Sequence, residues 1–538
     1  MIVSPETSGP ARKVLVVCTF GGATHAAPML EISKILHERG YVIELACLEE
    51  SRKLLKNYPF ITKIEVIARG MDPEVEAAMF RRMDEATDGF KNAMYHLDKM
   101  WTETYRALDD RIARDRPDFI FADAMDQGAI DMAKKYDIPL ASNEAQLPKH
   151  AAPASYVPGI PGLQQKHLTS EHASLRDRFY EEFWKFKFIF SIKDHIISNG
   201  KLRKSLGAPP NSPSAAAHHL MLVNSCWGIE QAKELPPLIV PCGPILSDEF
   251  SGVGDLKEML DTHSRVVLIV FGSRVNLPVW RIQRLIRGLQ SAMDLGYIDG
   301  VIWGLRVNKV NQKGLSSSQD EEASLNGEID YNAILENRNP HWRITPWVSQ
   351  RGVLDHPSTA LFISHCGGSS TMEAIYHGTP VLSMGVFGDQ KANSKRLKAA
   401  GVALELHKDE FTANEVCHKV GTIVMDRSGS FGRNVLRMKR IATIASKRKY
   451  LAADMIEEVL FDHEGRFGTQ DNVDNEKVAW LPETQQGTRP MHLETAGARM
   501  SLIKAKNIDM WMVGLLTVAS VVTIFVLLIR LLCLILLG

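Results

Sequence analysis

The 538-residue chain has no excess of either charge: 63 Lys and Arg stand against 63 Asp and Glu. That balance excludes the basic footprint on which nucleic-acid binding rests. Cysteine is scarce, seven in all (Cys18, Cys47, Cys226, Cys242, Cys366, Cys417 and Cys533), and no two are spaced as CxxC. An odd, dispersed set speaks against a disulfide scaffold and for a reducing compartment. No Asn-x-Ser/Thr sequon occurs, in keeping with a chain that stays out of the secretory lumen. Residues 1–12 are polar with two prolines, so no signal peptide is expected. There is no internal repeat.

What is present is alternation of strand-like and helix-like segments, long enough for two domains. Strands are expected at Val14–Phe20, Val42–Leu48, Phe119–Asp123, Met221–Asn224, Val266–Ser273 and Val301–Arg306. After the first of these come Gly21 and Gly22. Ala26–Arg39 then reads as an amphipathic helix, with Leu30, Ile32, Ile35 and Leu36 inward and Pro28 in its first turn. His25 falls where loop becomes helix, at the C-terminal end of a strand, and open α/β sheets bind ligands there. No GxGxxG follows the strand, so a dinucleotide site has little support. Asp123 falls at the end of another strand, whereas Asp126 and Asp131 run on into the next helix.

The most informative stretch is Trp347–Gln390, WVSQRGVLDHPSTALFISHCGGSSTMEAIYHGTPVLSMGVFGDQ. Ala360–Ser364 is an apolar strand, His365–Ser370 a small-residue turn, and Thr371–His377 a helix stopped by Gly378 and Pro380. Free N–H groups at the start of such a helix favour an anion, a phosphate or diphosphate. Trp347 and Gln350 open the stretch, His365-Cys366-Gly367 lies at its centre, Glu373 follows His365 by eight residues, and Asp389-Gln390 closes it.

That pattern resembles the nucleotide-sugar signature of the UDP-glycosyltransferase superfamily, in its fungal or plant form. The resemblance extends over most of residues 13–460, including Val223–Glu230 and Pro241–Leu246. It departs from the plant form at Ser349, usually Pro, and Ser369, usually Asn. The resemblance implies an α/β fold of the GT-B type, two facing Rossmann-like domains. Residues 1–246 would hold the acceptor, 247–264 would link the domains, and 265–466 would hold the UDP-sugar. It implies that Trp347 stacks on uracil, and that Gln350 and Glu373 hold the ribose. His365, Gly367, Ser370 and Ser273 would take the diphosphate, and Asp389 and Gln390 the sugar hydroxyls. His25 would be the catalytic base and Asp123 its orienting carboxylate. The implied enzyme is an inverting hexosyltransferase with no cofactor and no metal, since no Asp-x-Asp lies near the box. Glucose is the first choice of sugar, with xylose and glucuronic acid open. A lipophilic acceptor is expected: a terpenoid or polyketide, or else a sterol or lipid. A silent GT-B membrane scaffold is the reading from a different class.

The remaining features lie outside that signature. Met510–Ile529 is twenty residues without a charge, the length of a bilayer-spanning helix. Residues 509–538 are therefore expected to be a single-pass anchor, tethered through 467–508. Arg499, Lys504 and Lys506 would mark the near side as cytosolic, with endoplasmic reticulum the expected membrane. Asn308–Ile329 reads as a polar inserted loop. Phe179–Phe190 (FYEEFWKFKFIF) reads equally as the border of the acceptor pocket or as a buried amphipathic helix.

Overall fold

The computed structural model describes residues 11–19, 22–85, 89–148, 154–160, 164, 166–209, 218–305, 329–468 and 489–537. Phe20 and Gly21, nearly all of the expected 308–329 insert and the centre of the expected tether lie outside the described residues.

Seven short apolar runs build the first sheet: β1 (Lys13–Cys18), β2 (Val42–Leu48), β3 (Lys63–Ala68), β4 (Phe119–Asp123), β5 (Leu140–Glu144), β6 (Leu220–Val223) and β7 (Ile239–Pro241). All pair in parallel, in the order β3-β2-β1-β4-β5-β6-β7. Parallel strands buried on both faces need continuous apolar sequence, which is why these runs were readable. The strand period of two splits β1 cleanly. Val14 and Val16 pack with Met29, Leu30, Ile32 and Leu36 of α1 (Ala23–Glu38) on one side. Leu15 and Val17 pack with Trp101, Tyr105 and Leu108 on the other. Each such buried Val or Leu contributes about 1.5–3 kcal/mol.

The other helices of this half are α2 (Pro73–Glu85), α3 (Gly89–Arg114), α4 (Gln127–Tyr136), α5 (Leu175–Ser191) and α6 (Lys193–Ser205). The second sheet holds β8 (Val266–Val270), β9 (Gly300–Gly304), β10 (Trp342–Thr345), β11 (Thr359–Ser364), β12 (Val381–Ser383) and β13 (Ala403–Glu405). Its order is β10-β9-β8-β11-β12-β13, again all parallel. Both sheets thus reverse direction beside their own first strand, at β1/β4 and at β8/β11. Those reversals open crevices at the strands' C-terminal ends.

Three local findings differ from the sequence reading. Helix α1 begins at Ala23, three residues early, so Pro28 stands in its second turn. Gly22, at φ 61, already accepts from the N–H groups of His25 (3.3 Å) and Ala26 (3.1 Å), so the glycine turn and first helical turn are one unit. For the same reason the helix after β11 runs Gly368–His377, with Gly367 as its N-cap, rather than starting at Thr371. The aromatic segment forms α5, but Phe179, Phe183, Phe186 and Phe190 face solvent while Glu181 is buried. The buried-helix reading is therefore corrected: the inward face is the one that carries Glu181.

Two further segments tie the halves together. Leu256, Met259 and Leu260, within the span expected as linker, pack with Val266 and Leu268 of the second sheet, in a cluster that also takes Cys226 and Ile229 from the first half. Helix Lys449–Phe467, within the span expected for the second domain, lays Ala452, Ala453, Ile456, Val459 and Leu460 against the first sheet's core.

Candidate active site

The β1/β4 pairing, with Val17 opposite Ala122, sets the start of α1 beside the end of β4. His25, in the first turn of α1, meets Asp123, the last residue of β4, with Nδ1 to Oδ2 at 2.8 Å. The other carboxylate oxygen, Oδ1, accepts from the Met125 N–H at 3.0 Å. An ionised carboxylate only accepts, so Nδ1 carries the proton and Nε2 is left as the basic ring nitrogen. Burial disfavours the charged ring, but the charge and hydrogen bond of Asp123 outweigh it, and the His25 pKa stands above its ordinary value.

Asp126 is part of this cluster, a role the sequence did not disclose. Its carboxylate accepts from the Thr19 N–H (3.0 Å) and from the Thr19 hydroxyl, fixing the end of β1. Burial, reinforced by the Asp123 charge, pushes its pKa up to about 7. Asp131 lies elsewhere, accepting from Arg203 (2.5 Å) and the Trp101 indole (3.1 Å) within the fold. Arg274 is a second residue missed: its charge acts on His25 from the other half of the molecule. It follows Ser273 in the chain, and nothing in its local sequence marks it.

The second sheet's crevice gathers the rest. Gly272 and exposed Ser273 follow β8, and His365 follows β11. A Cβ on Gly272 would come within 2.9 Å of His365 Nε2, and one on Gly367 within 2.6 Å, so the imidazole lies between two glycines. Burial pushes the His365 pKa down to about 4, which keeps the ring neutral. Cys366 turns through φ 64, and the helix Gly368–His377 then aims its N-terminus into the crevice with Ser370 in the first turn.

Gln350 donates to Glu373 (2.6 Å) and to Ser370 Oγ (3.3 Å), so three residues from two helices form one polar cluster. Burial pushes the Glu373 pKa up to about 7. Trp347 presents its ring to solvent at 68 % exposure, whereas Trp342 is the tryptophan taken into the core. Asp389 and Gln390 open the helix Gln390–Ala399. Gln390 Oε1 accepts from the Val386 and Phe387 N–H groups, both at 3.1 Å. Asn393 donates to Asp389 (2.9 Å) and to the Cys366 carbonyl (3.0 Å), tying that loop to the glycine turn.

The two crevices face each other across α2. Arg274 pairs with Glu76 (3.0 Å) and covers the Phe80 ring, and Phe80 stacks on Phe387 at 5.3 Å. An imidazole oriented by a carboxylate thus shares a cleft with the N-terminus of the helix Gly368–His377.

This geometry has counterparts among known proteins. Residues 326–447 match the family model for UDP-glucuronosyl and UDP-glucosyl transferases. A UDP-glycosyltransferase of Talaromyces amestolkiae is 45% identical over 524 residues, 95% of this chain and 96% of that protein. The chain belongs to the UDP-glycosyltransferase family. UDP-glycosyltransferase stmC of Aspergillus ustus is 43% identical over 532 residues, covering 96% of this chain and 97% of the other. Among solved structures, UGT71G1 of Medicago truncatula, complexed with UDP-glucose, superposes with a TM-score of 0.56 at 17% identity, over 83% of this chain and 98% of that one. That likeness establishes the GT-B fold, two Rossmann-like sheets. The family implies a UDP-sugar donor and a small-molecule acceptor for this glycosyltransferase.

Proposed function

We propose that this UDP-glycosyltransferase moves a hexose, glucose first, from its UDP-sugar to a hydroxyl of a lipophilic secondary metabolite, with inversion. The observation that carries the reading is the His25–Asp123 contact at 2.8 Å, at the mouth of the cleft that holds the anion site. His25 Nε2 takes the acceptor O–H proton as that oxygen attacks the anomeric carbon. The bond from that carbon to the diphosphate oxygen breaks, and UDP leaves with the electron pair. Asp123 stabilises the imidazolium that forms.

The donor roles follow the second crevice. N–H groups at the start of the helix Gly368–His377, with Ser370, Ser273 and Gly367, receive the diphosphate charge that develops on leaving. His365, neutral between its glycines, offers a ring N–H to the same group. Glu373 and Gln350 hold the ribose and exposed Trp347 stacks on uracil. Asp389 and Gln390 take sugar hydroxyls.

We also assign the helix Ile508–Leu537 to a membrane. It is thirty residues long, uncharged between Asp509 and Arg530, and none of its side chains is buried. Arg499, Lys504 and Lys506 on the near side of the helix support a cytosolic body, where UDP-sugars are made and where apolar acceptors partition into the adjoining bilayer.

The test is UDP release across a panel of hydroxylated terpenoids, polyketides and sterols. His25→Ala is expected to lower turnover about 100-fold or more, the range of general-base loss, with UDP affinity little changed. Near-normal turnover in the folded variant rejects the base assignment.

A further inference from the structure

Helix α5 carries its apolar residues on the wrong side for a core. Leu175, Phe179, Phe183, Phe186 and Phe190 recur at intervals of three and four, so at 100° per residue they share one stripe. All five are exposed, at 63–69 %. The opposite side is the bound one. Glu181, buried, accepts there from the Lys166 N–H at 2.6 Å, and Glu182, at one edge of the stripe, accepts from the Gly159 N–H at 2.8 Å. The helix is thus held by these two carboxylates and displays a row of phenylalanines. Ile196 and Ile197 on α6 extend the apolar surface.

Three observations bear on what covers this surface. One edge of it is basic: exposed Arg176 and Lys187 run along that edge and Lys193 stands 4.2 Å over the Phe190 ring, while Glu182 on the other edge is taken up by the Gly159 N–H. An antiparallel pairing of two copies through the stripe would bring that basic edge against itself. A phosphate-rich surface would take the same charges as partners. The second observation is where the apolar C-terminal helix is rooted. Glu494 accepts from His218 (2.8 Å), and His492 meets Glu458 and Asp462 (both 3.1 Å) on the helix that packs on the first sheet. Only thirteen residues lie between Glu494 and Ile508, a reach of at most about 50 Å. The half of the molecule that carries the stripe is therefore the half held near the bilayer. The third is composition: phenylalanine, tryptophan and lysine on one short helix suit the headgroup boundary, where ring and ammonium are both satisfied.

We propose that the α5 phenylalanine stripe docks flat on an anionic lipid surface, as a second membrane contact beside the spanning helix. The inference rests on the membrane assignment of Ile508–Leu537 for its geometry. In consequence the described part of the 156–170 segment, held to α5 at Gly159 and Lys166, lies within about one helix diameter of the lipid, roughly 10–12 Å. That segment borders a cavity between the domains, where Val157, Gln164 and Leu168 approach Arg396. An acceptor dissolved in the bilayer then has a short path to the cleft.

The full-length chain reconstituted in phosphatidylcholine–phosphatidylserine vesicles tests this. An environment-sensitive fluorophore is placed by Phe186→Cys in a Cys533→Ser background, the remaining cysteines being buried. Separate samples carry the label at Glu410→Cys, exposed on the second domain, and at Val518→Cys in the apolar helix. For a stripe about 5–10 Å into the headgroup boundary, a shallow doxyl-lipid should remove roughly half or more of the emission at 186 and little at 410. The label at 518 should respond to a deep doxyl-lipid. A label at 186 that behaves like the one at 410, while 518 is quenched, overturns the docking and leaves the anchor standing. Quenching at 186 without quenching at 518 supports the docking and removes the anchor. Oxidative cross-linking between two unlabelled Phe186→Cys chains, with no quenching at 186, would assign the stripe to a second copy and also overturn the proposal.

Discussion

Two carboxylates that belong to different steps set the titration of this cleft. Asp123 stabilises the charged form of His25, so the histidine must lose a proton at a higher pH than an isolated imidazole before it serves as a base. Asp123→Asn removes that charge. The acidic limb of the kcat/KM profile is expected to move to lower pH while the plateau falls by roughly 100-fold, because the imidazolium formed in the reaction loses its partner. A plateau left unchanged would show that Asp123 does not support the base. Glu373 is the second, in the site proposed for the donor. Burial holds its carboxyl at about 7, above the usual range, and ribose hydroxyls are best received by the ionised form. UDP affinity should therefore rise as pH passes upward through about 7. Glu373→Gln should flatten that rise and weaken UDP about 10-fold or more, the loss of charge-assisted bonds of about 1.5–3 kcal/mol. Isothermal titration about one pH unit to either side of that midpoint reads both effects, and the diphosphate's own ionisation is common to the two proteins. An equal pH slope in both would remove Glu373 from the ribose role.

At the scale of elements, the glycine turns are as particular as the side chains they present. Gly272 combines φ 71 with a Cβ position 2.9 Å from His365 Nε2. Gly272→Ala is expected to cost about 1–2 kcal/mol for the left-handed backbone alone, and to push His365 out of the crevice. Thermal melting and UDP titration should therefore both suffer, while Gly296→Ala, at φ 69 with open space around it, should show only the melting effect. Equal UDP affinity in the two variants would mean that the His365 position does not matter to the donor. The same elements explain what was legible in the sequence. Strands such as Val42–Leu48 and Phe119–Asp123 were readable to the residue because they are buried on both faces and almost continuously apolar. The helix starts at Ala23 and Gly368 were not, because their first turns consist of the small residues that also make loops. The orientation of α5 was hidden, since an amphipathic pattern gives a stripe but not the side that faces in. Asp126 and Arg274 reach His25 only through the chain's return from elsewhere, and no local pattern records that.

The whole molecule joins a cleft between two sheets to one long apolar helix, and the two are separable. Across the cleft, Asp84 of α2 receives Arg281 (2.7 Å) and Lys408, and Arg396 meets Glu230 at 3.3 Å, so charge pairs hold the domains together there. No residue of Ile508–Leu537 is buried, and none joins a core cluster of either sheet. In water that surface is costly, since each large apolar side chain left exposed from Met510 to Ile529 forgoes up to about 1.5–3 kcal/mol. A bilayer of about 30 Å hydrocarbon thickness recovers it over about twenty residues. Arg530 would then sit toward the far boundary, where its long stem lets the guanidinium reach headgroups. The full-length protein should resist alkaline carbonate extraction from membranes. A form lacking residues 507–538 should move to the soluble fraction and still release UDP with a water-soluble acceptor, because His25, Asp123 and the whole donor crevice lie outside the removed segment. Protease added to sealed microsomes should digest the body of the full-length protein. Complete protection of that body would reverse the orientation. Quantitative release of the full-length chain by carbonate would remove the anchor itself.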